Sequence, residues 1–256
     1  MRVKSILVSQ PKPADITRSP YGELSQKYNL KIEFRKFISI EGISSKEFRM
    51  NKNSFNGYTA VILTSRHAVD HFFRIAKELR HEIPDSFKYF CNSESIAYYL
   101  QKYVQYRKRK IFFGKQTLQD LLELIKKHSE EEFLVPTSDA PNQTIIKLLD
   151  REKINYSQGV IYRTVPSDLT DLDIASYDML IFFSPSGVDS LLKNFPDYEQ
   201  GEQLIAAFGP TTKKSLKEAG LRWDIAAPTQ AAPSMAMAID NYLELQEKEW
   251  RRRKRK

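Results

Sequence analysis

The chain has 256 residues, 41% of them hydrophobic, and a formal net charge of +8. That size allows one or two domains with a buried core, and no run approaches the roughly 18 to 20 apolar residues of a membrane span. The single cysteine, Cys91, excludes an internal disulfide and fits a reducing, cytoplasmic compartment. It lies in an apolar run, which reads as a buried, inert thiol.

In chain order, residues 1–8 read as a first strand, too short for a signal peptide and without its small-residue cleavage site. Lys12-Pro13 starts a loop, and Ser19-Pro20 opens a helix with proline in its first turn. Residues 31–34 and 37–40 alternate like strands, and residues 52–57 form a turn. The apolar run Ala60-Val61-Ile62-Leu63 stops at Thr64-Ser65 and continues with helical periodicity through Ala68-Val69 and Phe72-Phe73. Lys88-Tyr89-Phe90-Cys91 runs into Asn92-Ser93-Glu94-Ser95. The basic loop Arg107-Lys108-Arg109-Lys110 precedes the strand Ile111-Phe112-Phe113. Phe133-Leu134-Val135 leads to Pro136-Thr137-Ser138, and residues 159–165 alternate again.

After a polar connection at 166–173, the pattern returns. Met179-Leu180-Ile181-Phe182-Phe183 stops at Ser184-Pro185-Ser186-Gly187, and Ile205-Ala206-Ala207-Phe208 stops at Gly209-Pro210-Thr211-Thr212. These echo the junctions near residues 64 and 92, and Ser5-Ile6-Leu7-Val8 echoes the run near 133. The last ten residues hold seven bases and two acids, a net of +5, which leaves about +3 for the body. The tail reads as a solvated helix extension. The four histidines, His67, His71, His81 and His128, have no cysteine partners, and no zinc spacing is present. His67 and His71 share a helix face that reads as an ordinary polar one.

Strands alternating with helices predict an α/β fold with parallel sheets. The echoes keep their order at nearly constant offset, which points to two similar, flavodoxin-like α/β domains. The expected division is 1–36 with 167–246 as a discontinuous first domain and 43–158 as the second. Residues 37–42 and 159–166 are expected as a two-stranded linker, and 247–256 as a basic tail. Hydroxyl-bearing turns at helix starts cap the helices and attract anions. The two serine junctions are expected on opposite walls of one cleft.

These motifs resemble the uroporphyrinogen-III synthase family. The resemblance rests on Ile181 to Val188 with Ala207 to Thr212, on Leu63-Thr64-Ser65 with Ala68-Val69, and on Val160-Ile161-Tyr162-Arg163-Thr164. Ala227-Pro228-Thr229, Pro233-Ser234-Met235 and Ser19-Pro20-Tyr21 add to it. It covers residues 1 to about 245. Arg66 stands where that family commonly has proline, and Cys91-Asn92-Ser93-Glu94-Ser95 replaces its V-G-x-A-T turn. Asn92 is expected to carry the left-handed turn of the missing glycine.

The resemblance implies closure of the linear tetrapyrrole hydroxymethylbilane to uroporphyrinogen III, with inversion of ring D and loss of water. It implies a monomeric lyase without cofactor or metal, with no membrane or nucleic-acid partner. The substrate carries eight carboxylates, so Thr64, Ser65, Ser95, Ser138, Ser184, Ser186, Gly187, Gly209, Thr211 and Thr212 are its candidate binders. Tyr162 is the candidate acid near the departing hydroxyl. The competing readings are a tetrapyrrole- or polyanion-binding module without turnover and, on the strength of the tail, a nucleic-acid binder. Closer substrate contacts are expected from residues 184–188 and 209–212 than from the middle of the chain.

Overall fold

The computed structural model describes residues 3–51, 54–114, 118–139 and 143–254. Parts of the expected turn and tail, at 52–53 and 255–256, lie outside them. The chain runs β1 (Ser5–Val8), α1 (Pro20–Tyr28), β2 (Lys31–Phe34), β3 (Ile38–Gly42), α2 (Ser45–Met50), β4 (Ala60–Leu63) and α3 (Arg66–Glu78). It continues with β5 (Lys88–Cys91), α4 (Glu94–Leu100), β6 (Ile111–Phe113), α5 (Leu118–Lys126), β7 (Phe133–Ser138), α6 (Gln143–Arg151) and β8 (Tyr156–Pro166). The last third holds β9 (Met179–Phe182), α7 (Pro185–Asn194), β10 (Leu204–Phe208), α8 (Pro210–Glu218), β11 (Ile225–Ala227) and α9 (Met235–Lys254).

The chain forms two compact units, Met1–Ser39 with Val165–Lys256, and Ile40–Thr164. Each is a parallel α/β sandwich, as the strand–helix alternation predicts. In the first unit the strand order is β11-β10-β9-β1-β2, and its neighbouring strands are parallel. In the second it is β3-β8-β7-β4-β5-β6, parallel from β8 to β6. β3 lies beside β8 at the edge, where Ile43 N–H donates to the Ile161 carbonyl at 3.2 Å.

Counted from the start of each unit, the first order is 2-1-3-4-5, the flavodoxin-like one, and the second, without β3, is 3-2-1-4-5. The two become identical when the first unit is counted from β9. Then β9 matches β4, β10 matches β5, β11 matches β6, and β1 and β2 match β7 and β8. Three of these matches, β9 with β4, β10 with β5 and β1 with β7, are those of the sequence echoes.

Central strands are buried on both faces, so β4 and β9 read as unbroken apolar runs. In the second unit Val61 and Leu63 face α3 and α4, while Ala60 and Ile62 face α5 and α6. In the first, Leu180 and Phe182 face α7 and α8, while Met179 and Ile181 face α1 and α9. Helices therefore depart to matching faces in both units. α1 begins as predicted, with Ser19 accepting from Gly22 N–H and Pro20 in the first turn. The short helix α2, seated by the buried Phe48, had no periodicity long enough to announce it. α9 runs into the basic segment as one helix, as far as Lys254.

Candidate functional site

In a doubly wound sheet, ligands gather at the carboxyl ends of the strands where successive helices leave to opposite faces. In the second unit that point lies between β4 and β7. β4 ends at Thr64-Ser65, and Ser65, extended at φ −156° and ψ 164°, caps α3 by accepting from Ala68 N–H at 3.0 Å. β7 ends at Ser138, which a bulge after Thr137 places opposite Tyr162 of β8. The Tyr162 hydroxyl lies 3.5 Å from Ser65 Oγ, and its half-buried ring stacks on His71 at 5.4 Å and 25°. The structure thus brings Ser65, Ser138 and Tyr162 together, with the half-buried Thr64 beside them in the chain.

Ser95 stands apart on the next junction. It is exposed, and its hydroxyl lies 3.3 Å from that of Ser93. Ser93 starts α4 with extended backbone and makes no side-chain cap. The left-handed residue expected at Asn92 is not there: among the described residues, positive φ outside glycine occurs at Asn29, Arg80 and Lys153. Without glycine, the helix start moves one residue onward to Ser93, which needs no strained backbone. Glu94 in the first turn of α4 repels a second carboxylate.

The first unit repeats the arrangement between β9 and β1. Ser184, at φ −153° and ψ 156°, caps α7 through Gly187 N–H at 3.2 Å. Pro185 has no N–H, so the half-buried Ser186 offers the first-turn amide that serves neither role. Gly187 is buried, and a Cβ on it would lie 3.6 Å from Ser9 Oγ and 3.7 Å from Ser184 Oγ. Ser9 is therefore a third hydroxyl at this point; sequence reading missed it because a single serine after a strand is an ordinary turn residue. At the next junction Gly209 takes φ 85° and starts α8 with no side-chain cap. That leaves the amides of Thr211 and Thr212 without a capping side chain, and Pro210 before them has no N–H. Thr211 is exposed. Thr212 is fully buried, and its Oγ1 has no hydrogen-bond partner among the described residues; Thr137 Oγ1 on β7 shares that condition.

Charge at other reactive groups is accounted for by their surroundings. Burial pushes the Cys91 thiol up to about 12, so it stays protonated and inert. His128, Glu130 and Glu131 converge within 4.8 Å, but Lys88 Nζ sits among them, 3.4 Å from His128 Nδ1 and 3.7 Å from Glu130. A protein ammonium already supplies the cation there. His71 is held below the usual histidine value of 6.5 by partial burial, then by Arg74 and His67, with Asp70 opposing.

Among the described residues, no helix is long and apolar enough to cross a membrane. No curated protein matches the sequence. The family described as uroporphyrinogen-III synthase HemD matches residues 35–237. The fold is similar to that of uroporphyrinogen-III synthetase from Helicobacter pylori 26695, at 16% identity and a TM-score of 0.57, over 96% of this chain and 100% of that one. A mutant uroporphyrinogen III synthase from the extremely thermophilic bacterium Thermus thermophilus aligns over 96% of this chain and 99% of that one, at 14% identity and a TM-score of 0.49. With residues 35–237 matched, the greater part of its length, the chain belongs to the uroporphyrinogen-III synthase family.

Proposed function

We propose that this chain is a cytoplasmic, cofactor-independent lyase that closes hydroxymethylbilane to uroporphyrinogen III, and that the strand-end rims of its two units do this work. Family membership supports the reaction. The observation that carries the residue assignment is the meeting of Tyr162, Ser65 and Ser138 at the switch point of the second unit.

Loss of hydroxide from the substrate leaves an azafulvenium cation. Ring D then attacks through its substituted carbon to a spiro intermediate, which fragments and recloses as isomer III. Uncatalysed closure uses the free carbon and yields isomer I. Selecting the first path is chiefly a matter of holding the chain in one geometry and keeping water away. The Tyr162 hydroxyl serves as the weak acid for the departing hydroxide. Its 3.5 Å neighbour, Ser65 Oγ, is already held by the α3 cap and so marks a fixed direction for it.

The carboxylates meet donors rather than a dense field of cations. Ser186 and Thr211 present amides at the starts of α7 and α8, where the helix dipoles also favour negative charge. Gly209, with nothing within 4 Å of where its Cβ would be, keeps its turn open to a bulky ligand, and Gly187 lets Ser184 and Ser9 approach α7 closely. Thr64, Ser138 and Ser184 add hydroxyls. Ser95 contributes least, because Glu94 precedes it. The test is the isomer formed: purified protein with hydroxymethylbilane should give mainly isomer III, and isomer I alone refutes the assignment. Tyr162→Phe should lower kcat by about 10²-fold at unchanged isomer ratio; a wild-type kcat removes the acid role.

A further inference from the structure

His67, His71, Arg74 and Glu78 recur at helical spacing along α3. His71 stacks on the Tyr162 ring with centroids 5.4 Å apart and planes inclined by 25°, and His67 is tilted toward it at 6.3 Å. Arg74 fixes His71 in turn, its Nε donating to His71 Nδ1 at 3.1 Å. Because Nδ1 accepts, the imidazole is neutral and its proton sits on Nε2.

The same guanidinium reaches the strand that carries Tyr162. Arg74 Nη2 donates to the Ile161 carbonyl at 3.2 Å and to the Ile43 carbonyl at 2.8 Å, and Nη1 donates to Glu78 at 2.5 Å. Ile161 directly precedes Tyr162 on β8. One side chain therefore holds the backbone on one side of Tyr162 and, through His71, the face of its ring. Gly42 makes the space for it: a Cβ at that position would lie 2.5 Å from Arg74 Nη2 and displace the guanidinium. Lysine has no planar fork to serve a ring nitrogen, two carbonyls and a carboxylate together.

We propose that Arg74 and His71 are positioning residues that fix the ring plane of Tyr162 and the direction of its hydroxyl. This rests on the reading of Tyr162 as the acid. Neither side chain needs to touch the substrate for this; both act through Tyr162.

The experiment is a double-mutant cycle in the full chain, read as kcat and KM for hydroxymethylbilane. Arg74→Lys and His71→Ala should each lower kcat about tenfold, with KM within about twofold, as expected when a reacting group loses alignment. His71→Phe keeps a flat partner and should recover most of the loss. In a Tyr162→Phe background the same changes should cost less than about twofold more. Melting curves of every variant, with assays run well below the lowest midpoint, keep loss of fold separate from loss of alignment. A slow Tyr162→Phe with fully additive losses overturns the positioning role alone. Wild-type kcat in Arg74→Lys beside a slow Tyr162→Phe does the same. Wild-type kcat in Tyr162→Phe overturns the acid reading and this inference together.

Discussion

His71 shows how one residue links site and stability. The charged groups around it are Arg74, His67 and Asp70 on its own helix, and the Tyr162 ring faces it from β8; only Asp70 favours its protonation. Unfolding releases His71 to its ordinary value of 6.5, so just below that pH the unfolded chain binds more protons than the folded one. Stability from this group is complete above 6.5 and declines as pH falls below it. The melting temperature should therefore drop between about pH 7 and about pH 5.5, and drop less in His71→Phe. Equal slopes in the two proteins would show that His71 titrates in the fold as it does in water. Sequence alone offered the i, i+4 spacing of His67 and His71 and read it as a polar face. The missing information was non-local, since the ring they meet lies on a strand some ninety residues onward.

At the scale of the element, four helix starts that look alike in the sequence behave differently. Ser65 and Ser184 bond the amide three residues on, Ser93 bonds none, and Gly209 relies on its backbone alone. Ser65→Ala should cost about 1 kcal/mol, as loss of a serine cap does. Ser93→Ala should change the denaturation midpoint by less than a third of that effect; equal losses would mean that the Ser93 hydroxyl caps after all. The strands and most helices were legible because buried parallel strands are short apolar runs and the helices beside them keep their period. α2 was not, because six residues span too few turns to show one. The junction residues Ser65, Ser184 and Gly209 were legible as turn chemistry. Ser9 and Thr137 were not, since what sets them apart is a neighbour from another strand or the lack of a partner.

Across the whole molecule, the two units share one strand order once the first is counted from β9. The chain ends therefore fall where the second unit has the connection from α5 to β7. The second unit is continuous in sequence and carries its own two-faced core. Residues 40–164 expressed alone should unfold in a single cooperative transition with urea; a broad, baseline-like melt would show that they depend on the rest of the chain. The first unit is discontinuous in sequence, and Ile6 from its first segment pairs with Met179 from its second. During synthesis β1, α1 and β2 emerge first, yet β9 follows only after the whole second unit has been made. At about 5–20 residues per second that delay is on the order of ten seconds. Through it, one edge of β1 stands open with its amides and carbonyls unpaired, the condition under which strands join the wrong partner. The order of the strands thus sets a timetable: the later-starting unit completes first, and β1 waits for β9.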